Sequence, residues 1–212
     1  MIVTKIDEKI EQYSLLKHPF YQQWSAGTLT KESLVGYVKE YYHLVKAVPA
    51  MVEKIHLANP TEDTKRNLED EKSHIALWEN FAEGMGISRK ELTEYKPAAH
   101  TVEAVNKMLA LMENPVEGCA AMYAYEAEIP AISHSKLEGL KAFYGVSDAK
   151  TVEYFNEHEV ADIYHREVWK EMMANYSEKE QTAALNSAVE CLKAQNEVLD
   201  SVCEKYMSTM TC

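Results

Sequence analysis

Residues 158–165 read HEVADIYH, with His158, Asp162 and His165 at i, i+4 and i+7. On a helix that spacing stacks all three on one face over two turns. Phe155 and Trp169 extend the stripe at its two ends. Apolar ends turn the stripe toward a core, so two imidazoles and a carboxylate are expected in apolar surroundings. Buried charges are costly unless they are paired or bind a metal.

Two further segments carry compatible chemistry. In EDEKSHIALWENF, residues 69–81, Glu71 and His74 stand at i, i+3, and Trp78 and Phe81 continue their face. A Glu-x-x-His pair pointing inward is how helix bundles supply carboxylate and imidazole to metals. Of the neighbouring acids Glu69, Asp70 and Glu71, only Glu71 has the i, i+3 relation to His74. In CAAMYAYEAEIPAI, residues 119–132, Glu126 lies in the most apolar part of the chain, with Cys119, Met122 and Ile129 on its face.

Each segment alone has an ordinary structural reading. Glu71 and His74 can form a solvated pair, HEVADIYH a buried hydrogen-bonded network, and Glu126 an ion pair with a Lys or Arg. Together the three segments offer Glu71, His74, Glu126, His158, Asp162 and His165. Mixed imidazole and carboxylate ligands suit iron or manganese. Six protein ligands exceed what one oxygen-binding metal takes, so two metals bridged by a carboxylate fit better. His18, His43, His56, His100 and His134 lack such company and read as surface or satisfied core residues.

These segments need helices to position them, and helical spacing runs through the whole chain. Helices are expected over about 3–16, 31–57 and 61–85, with a short helix in GMGISRKELTEYKP and another over about 100–113. Further helices are expected over about 115–143, 149–175 and 178–207. HPFYQQWSAGTLT reads as an interruption before a helix start at Thr30 and Ser33. Pro130 is expected to kink the helix of residues 115–143, and Ser147 or Asp148 to cap the one that follows. No strand alternation appears. The fold expected is all-α: a single compact bundle of seven or eight helices over residues 1–212.

Composition agrees. The chain of 212 residues has 46% apolar and 26% charged residues, with only 7 Gly and 6 Pro. That suits one domain with a sizeable core. Lys and Arg number 22 against 34 Asp and Glu, a net charge of −12. Such a balance argues against nucleic acid and against an anionic membrane surface. No apolar run reaches the length of a membrane span, and the N-terminus lacks the apolar region of a signal peptide. Cys119, Cys191, Cys203 and Cys212 form no metal-finger spacing. A reduced, cytoplasmic chain is expected.

The segments HPFYQQWSAGTLTKESLVGYVKEYYHLVKAVP, HIALWENFAEGMGISRKEL, AMYAYEAEIPAI and YFNEHEVADIYH carry a resemblance over nearly the whole chain. It resembles the heme-oxygenase-like superfamily of TenA-type thiaminases and the PqqC cofactor oxidase. Within that superfamily it is most similar to the family of the chlamydial protein associating with death domains. The resemblance implies a dinuclear Fe/Fe or Fe/Mn site held by the six residues above, with dioxygen and a reductant as co-substrates. It further implies synthesis of para-aminobenzoate for folate from a tyrosine side chain of the protein itself. The matching tyrosine is Tyr21 in HPFYQQW, and the lysine implied as nitrogen donor is Lys136 in SHSKLEGL. By spacing alone, Tyr21 would be an ordinary interfacial aromatic and Lys136 a solvated lysine. Tyr37, Tyr41 and Tyr125 are further inner-pocket candidates.

Two other functions compete. A TenA-type thiaminase, an aminopyrimidine hydrolase, would use a nucleophilic cysteine beside a glutamate, and Cys119 lies two turns before Glu126. A non-catalytic helical module could bind proteins, with death-domain binding suggested only by family analogy. A PqqC-like substrate with many carboxylates fits poorly, since the only arginines are Arg66, Arg89 and Arg166. The superfamily also implies a homodimer.

Overall fold

A computed structural model describes residues 1–207 of the chain, and Cys212 lies outside them. Among the described residues there are helices and no strands. In chain order the α-helices are α1 (Ile2–Gln12), α2 (Pro19–Ala26), α3 (Lys31–Ala58), α4 (Glu62–Gly84), α5 (Arg89–Glu94), α6 (Ala99–Leu111), α7 (Pro115–Glu126), α8 (Ile129–Phe143), α9 (Ala149–Met172) and α10 (Glu178–Tyr206). A short 3-10 turn, Leu15–Lys17, joins α1 to α2.

Helix starts follow local chemistry. Thr30, Thr61, Asn114, Asp148 and Ser177 each accept a backbone N–H with the side chain, capping α3, α4, α7, α9 and α10. Such side chains satisfy amides that have no partner within the helix. Of the two caps weighed for α9, Asp148 is the one used.

The all-helical expectation holds, but the bundle has ten α-helices among the described residues rather than seven or eight. Two differences account for most of the change. HPFYQQWSAGTLT is not an interruption: it holds α2, capped by the His18 ring and opened by Pro19. Two turns are too short for periodicity to stand out, while proline at the first helical position is favourable. The second difference lies at Pro130. Instead of a kinked helix, the chain breaks at Ala127 and Glu128, and Pro130 falls in the first turn of α8, where its missing N–H costs nothing. Glu126 therefore ends a helix.

Packing places three helices around one buried region. Helix α9 packs against α4, α7 and α8, while α7 also packs against α10 and α3 against α4. A continuous core of buried aliphatic and aromatic side chains runs between them. Helices α2 and α8 approach closely at Gly139, where a Cβ would come 2.5 Å from Trp24 Nε1. That same Nε1 donates to the Lys136 carbonyl at 3.3 Å. Glycine is needed at 139 for this approach, which sets Lys136 above the α2 face carrying Tyr21.

Candidate metal centre

Helices α4, α7 and α9 bring Glu71, His74, Glu126, His158, Asp162 and His165 together, and all six are buried. Their ligand atoms form two triads, Glu71–His74–His158 and Glu71–Glu126–His165, each within 4.8 Å. Glu71 belongs to both. Its Oε2 lies 3.3 Å from His74 Nδ1, and its Oε1 lies 3.8 Å from His165 Nδ1. One carboxylate thus faces both triads, one oxygen to each. Asp162 stands outside the triads but beside them, with Oδ1 3.3 Å from His165 Nδ1.

The rings are oriented by groups around them. His158 Nδ1 donates to the Tyr154 carbonyl at 2.6 Å, leaving Nε2 as the free lone pair. The His158 ring lies 4.1 Å, centre to centre, from both His74 and Tyr154. Trp169 Nε1 donates to Glu126 Oε2. His165 Nε2 pairs with Asp70 Oδ2 at 3.2 Å, which turns Nδ1 inward.

Electrostatics show how strongly this cluster wants positive charge. Burial pushes the Glu126 carboxyl well above the usual range, against the opposing pull of His165. Burial also disfavours the Glu71 carboxylate, but His74, with help from His158 and His165, outweighs it and holds Glu71 below its ordinary value. His165 is the mirror image. Burial lowers it, yet Asp162, Glu126 and Glu71 overcome that and raise it to about 10. Glu126 Oε1, both Asp162 oxygens and His165 Nδ1 are buried with no hydrogen-bond partner among the described residues. Buried carboxylate oxygens and an imidazole nitrogen left open in this way are what a bound dication satisfies. The donor set, imidazole and carboxylate without thiolate, fits iron or manganese.

A second cluster adjoins the first. Lys136 is buried, correcting the solvated reading that its spacing suggested. Its Nζ donates to the Tyr37 hydroxyl at 2.5 Å. The ring centres of Tyr21, Tyr37, Tyr41 and Phe155 lie 5.1–5.4 Å from Nζ, and that of Trp78 lies 5.9 Å away. Burial lowers the ammonium from its usual 10.5 to about 7. Tyr21 is buried too, with its hydroxyl beside that of Tyr37. Ring contacts connect the two clusters: His158 to Tyr154, Tyr154 to Trp78 at 4.8 Å, and Trp78 to Tyr37 at 5.8 Å.

Tyr125 is buried beside Tyr41, and its carbonyl accepts from Gln195 at 3.3 Å. Sequence reasoning passed over Tyr154, although it stands one turn before His158 on the same stripe. Cys119 does not support a thiaminase. Its thiol is buried, pushed up to about 11 by that burial, and set against Met172 Sδ at 3.9 Å. A nucleophilic cysteine needs a lowered pKa and access.

A helix bundle with carboxylate and histidine ligands on facing helices defines a class of metal-dependent redox proteins, and the chain belongs to one such family. Residues 35–196 match the heme-oxygenase-like family described as iron-containing redox enzymes. Among curated relatives, a 4-aminobenzoate synthase of Chlamydia pneumoniae is 37% identical over 94% of this chain and 91% of its own length. A 4-aminobenzoate synthase of Nitrosomonas europaea is 31% identical over 98% of this chain and 93% of its own. Solved structures agree on the fold. A TenA homologue from Pseudomonas syringae superposes with a TM-score of 0.82 at 13% identity, covering 96% of this chain and 93% of that one. A CADD-like protein from Nostoc punctiforme gives 0.79 at 17% identity, covering 98% and 97%. No helix among the described residues is long and apolar enough to cross a membrane.

Proposed function

We propose that this protein is an oxygen-dependent dimetal enzyme that makes 4-aminobenzoate from its own Tyr21, with Lys136 supplying nitrogen. The observation that carries the reading is the placement of Lys136 Nζ 5.4 Å from the Tyr21 ring centre. Both groups lie in a buried cage that adjoins the two carboxylate–histidine triads. Named relatives that make 4-aminobenzoate, at 31–37% identity over nearly the full chain, support the product.

The carbon skeleton fits. A tyrosine side chain is a six-carbon ring with one carbon at C1 and oxygen opposite. 4-Aminobenzoate has the same ring with a carboxyl carbon at C1 and nitrogen opposite. Conversion therefore breaks the Cα–Cβ bond and oxidises Cβ to a carboxyl carbon with dioxygen as oxidant; the phenol oxygen leaves as water, and the Lys136 nitrogen takes its place as the Cε–Nζ bond breaks and Cε is oxidised.

Each site residue then has a task. Glu71, His74 and His158 would hold one ion, and Glu71, Glu126 and His165, with Asp162 beside them, would hold the other. Iron or manganese held there would supply the oxidising power of dioxygen, with an external reductant balancing the electrons. Tyr37 holds the Lys136 amine in place, and burial keeps a neutral amine accessible near neutral pH. Tyr41, Trp78 and Phe155 exclude water around both groups. Tyr125, beside Tyr41, packs the inner wall. A protein that consumes its own residue turns over once.

The test uses protein grown with ring-labelled tyrosine and, separately, with nitrogen-labelled lysine. After exposure to iron, reductant and oxygen, released 4-aminobenzoate should carry both labels, and the intact mass should fall by the lost side chain. Unlabelled product would refute the self-derived origin.

A further inference from the structure

We propose that Asp70 is a positioning residue of the metal centre, holding His165 so that Nδ1 faces the Glu71–Glu126 position; this rests on the two-ion reading above. Asp70 neighbours Glu71 in sequence but has a different task. Glu71 belongs to both triads, and Asp70 belongs to neither. Instead Asp70 Oδ2 lies 3.2 Å from His165 Nε2, on the side of the ring away from the cluster. His165 Nδ1 is buried, without a hydrogen-bond partner among the described residues, and 3.8 Å from Glu71 Oε1.

A carboxylate at Nε2 takes the N–H and leaves the lone pair on Nδ1. It also blocks rotation of the ring. Histidine ligands are commonly fixed by such an outer acceptor, whose loss typically weakens metal binding about 10–100-fold.

Asp70 is itself held. Arg66 Nε approaches Asp70 Oδ2 at 3.9 Å, and the Arg66 guanidinium lies 4.7 Å from the ring centre of Tyr164. Tyr164 donates to Asp63. Asp63, Arg66 and Asp70, on successive turns of α4, thus grip consecutive residues Tyr164 and His165 of α9. This grip lies at the surface, where Arg66, Asp70 and His74 line a groove of about 380 Å³ between α4 and α9. The Asp70 side chain is 38% exposed, so replacing it need not disturb the core.

The test is anaerobic titration calorimetry with Mn(II), supported by the Co(II) absorption spectrum. Wild type should bind two equivalents. In D70N one equivalent should weaken about 10–100-fold, with the other unchanged and the Co(II) bands of one ion altered. D70E should recover most of the affinity. Should D70N melt early, R66Q, which releases Asp70 without removing it, should weaken the same equivalent in the same direction. Binding by D70N and R66Q as tight as wild type at both positions would overturn the role of Asp70 while leaving the two-ion reading intact. Equal weakening at both positions, with no recovery in D70E, would also overturn it. A wild type that binds fewer than two equivalents would overturn the two-ion reading and the inference with it.

Discussion

Lys136 Nζ sits 5.4 Å from the ring centre of Tyr21, although the two residues come from α8 and α2. Gly139 and Trp24 make this possible by letting the two helices touch. The buried phenol hydroxyl of Tyr21 meets that of Tyr37. Removing it gives up that contact, at a cost of about 0.5–1.5 kcal/mol. Y21F should lose no more than about 0.5–1.5 kcal/mol in urea unfolding, should bind two metal ions, and should release no 4-aminobenzoate. Product from Y21F at the wild-type level would refute Tyr21 as its source.

Lys136 gives a pH signature. Burial lowers its ammonium to about 7, against 10.5 for an ordinary lysine. Between these values the unfolded chain holds a proton that the folded protein does not, so stability rises with pH across that window. Below about 7 both states are protonated, and the cost of burying the charge is felt in full. At 1.36 kcal/mol per pH unit, K136M should stabilise the fold by on the order of 5 kcal/mol at the acid end of the window. The gain should shrink toward zero near pH 10.5. Urea midpoints for both proteins at several pH values measure it; a gain independent of pH would be the contrary result. K136M should also form no 4-aminobenzoate.

Metal stoichiometry separates the two positions. Glu71 belongs to both triads, so E71A should lose both ions. H158A should lose one, and E126A the other. Elemental analysis after anaerobic loading gives the count. Metal at 100 times its dissociation constant should stabilise wild type by about 2.7 kcal/mol for each site, and E71A by none. Two ions retained in E71A would refute the shared carboxylate.

Cys119 distinguishes the oxidase from a thiaminase. Its thiol is buried and pushed up to about 11. C119S should keep full metal binding and 4-aminobenzoate release, while losing about 1–2 kcal/mol of stability through the buried hydroxyl. Loss of activity with the fold and metal content intact would point to thiol chemistry.

The helical class and the six candidate ligands were legible from spacing alone. His158, Asp162 and His165 share a face because the helix has a fixed period, and Phe155 and Trp169 mark which way that face points. Glu71 and His74 follow the same rule, as does Glu126 in its apolar surroundings. The resemblance added Tyr21 and Lys136, whose types and local spacing say nothing unusual.

Tertiary packing decided the rest. Helix α2 escaped periodicity because two turns carry too few repeats, and the break before Pro130 lets α7 pack against α10 while α8 packs against α9 and α2. Nothing near Lys136 in the chain shows that five aromatic rings from α2, α3, α4 and α9 close around it. Likewise, only the pairing of α4 with α9 shows that Glu71 faces both triads while Asp70 holds the far side of His165. Periodicity reports which face of a helix turns inward; which side chains meet there is set by contacts between residues far apart in sequence.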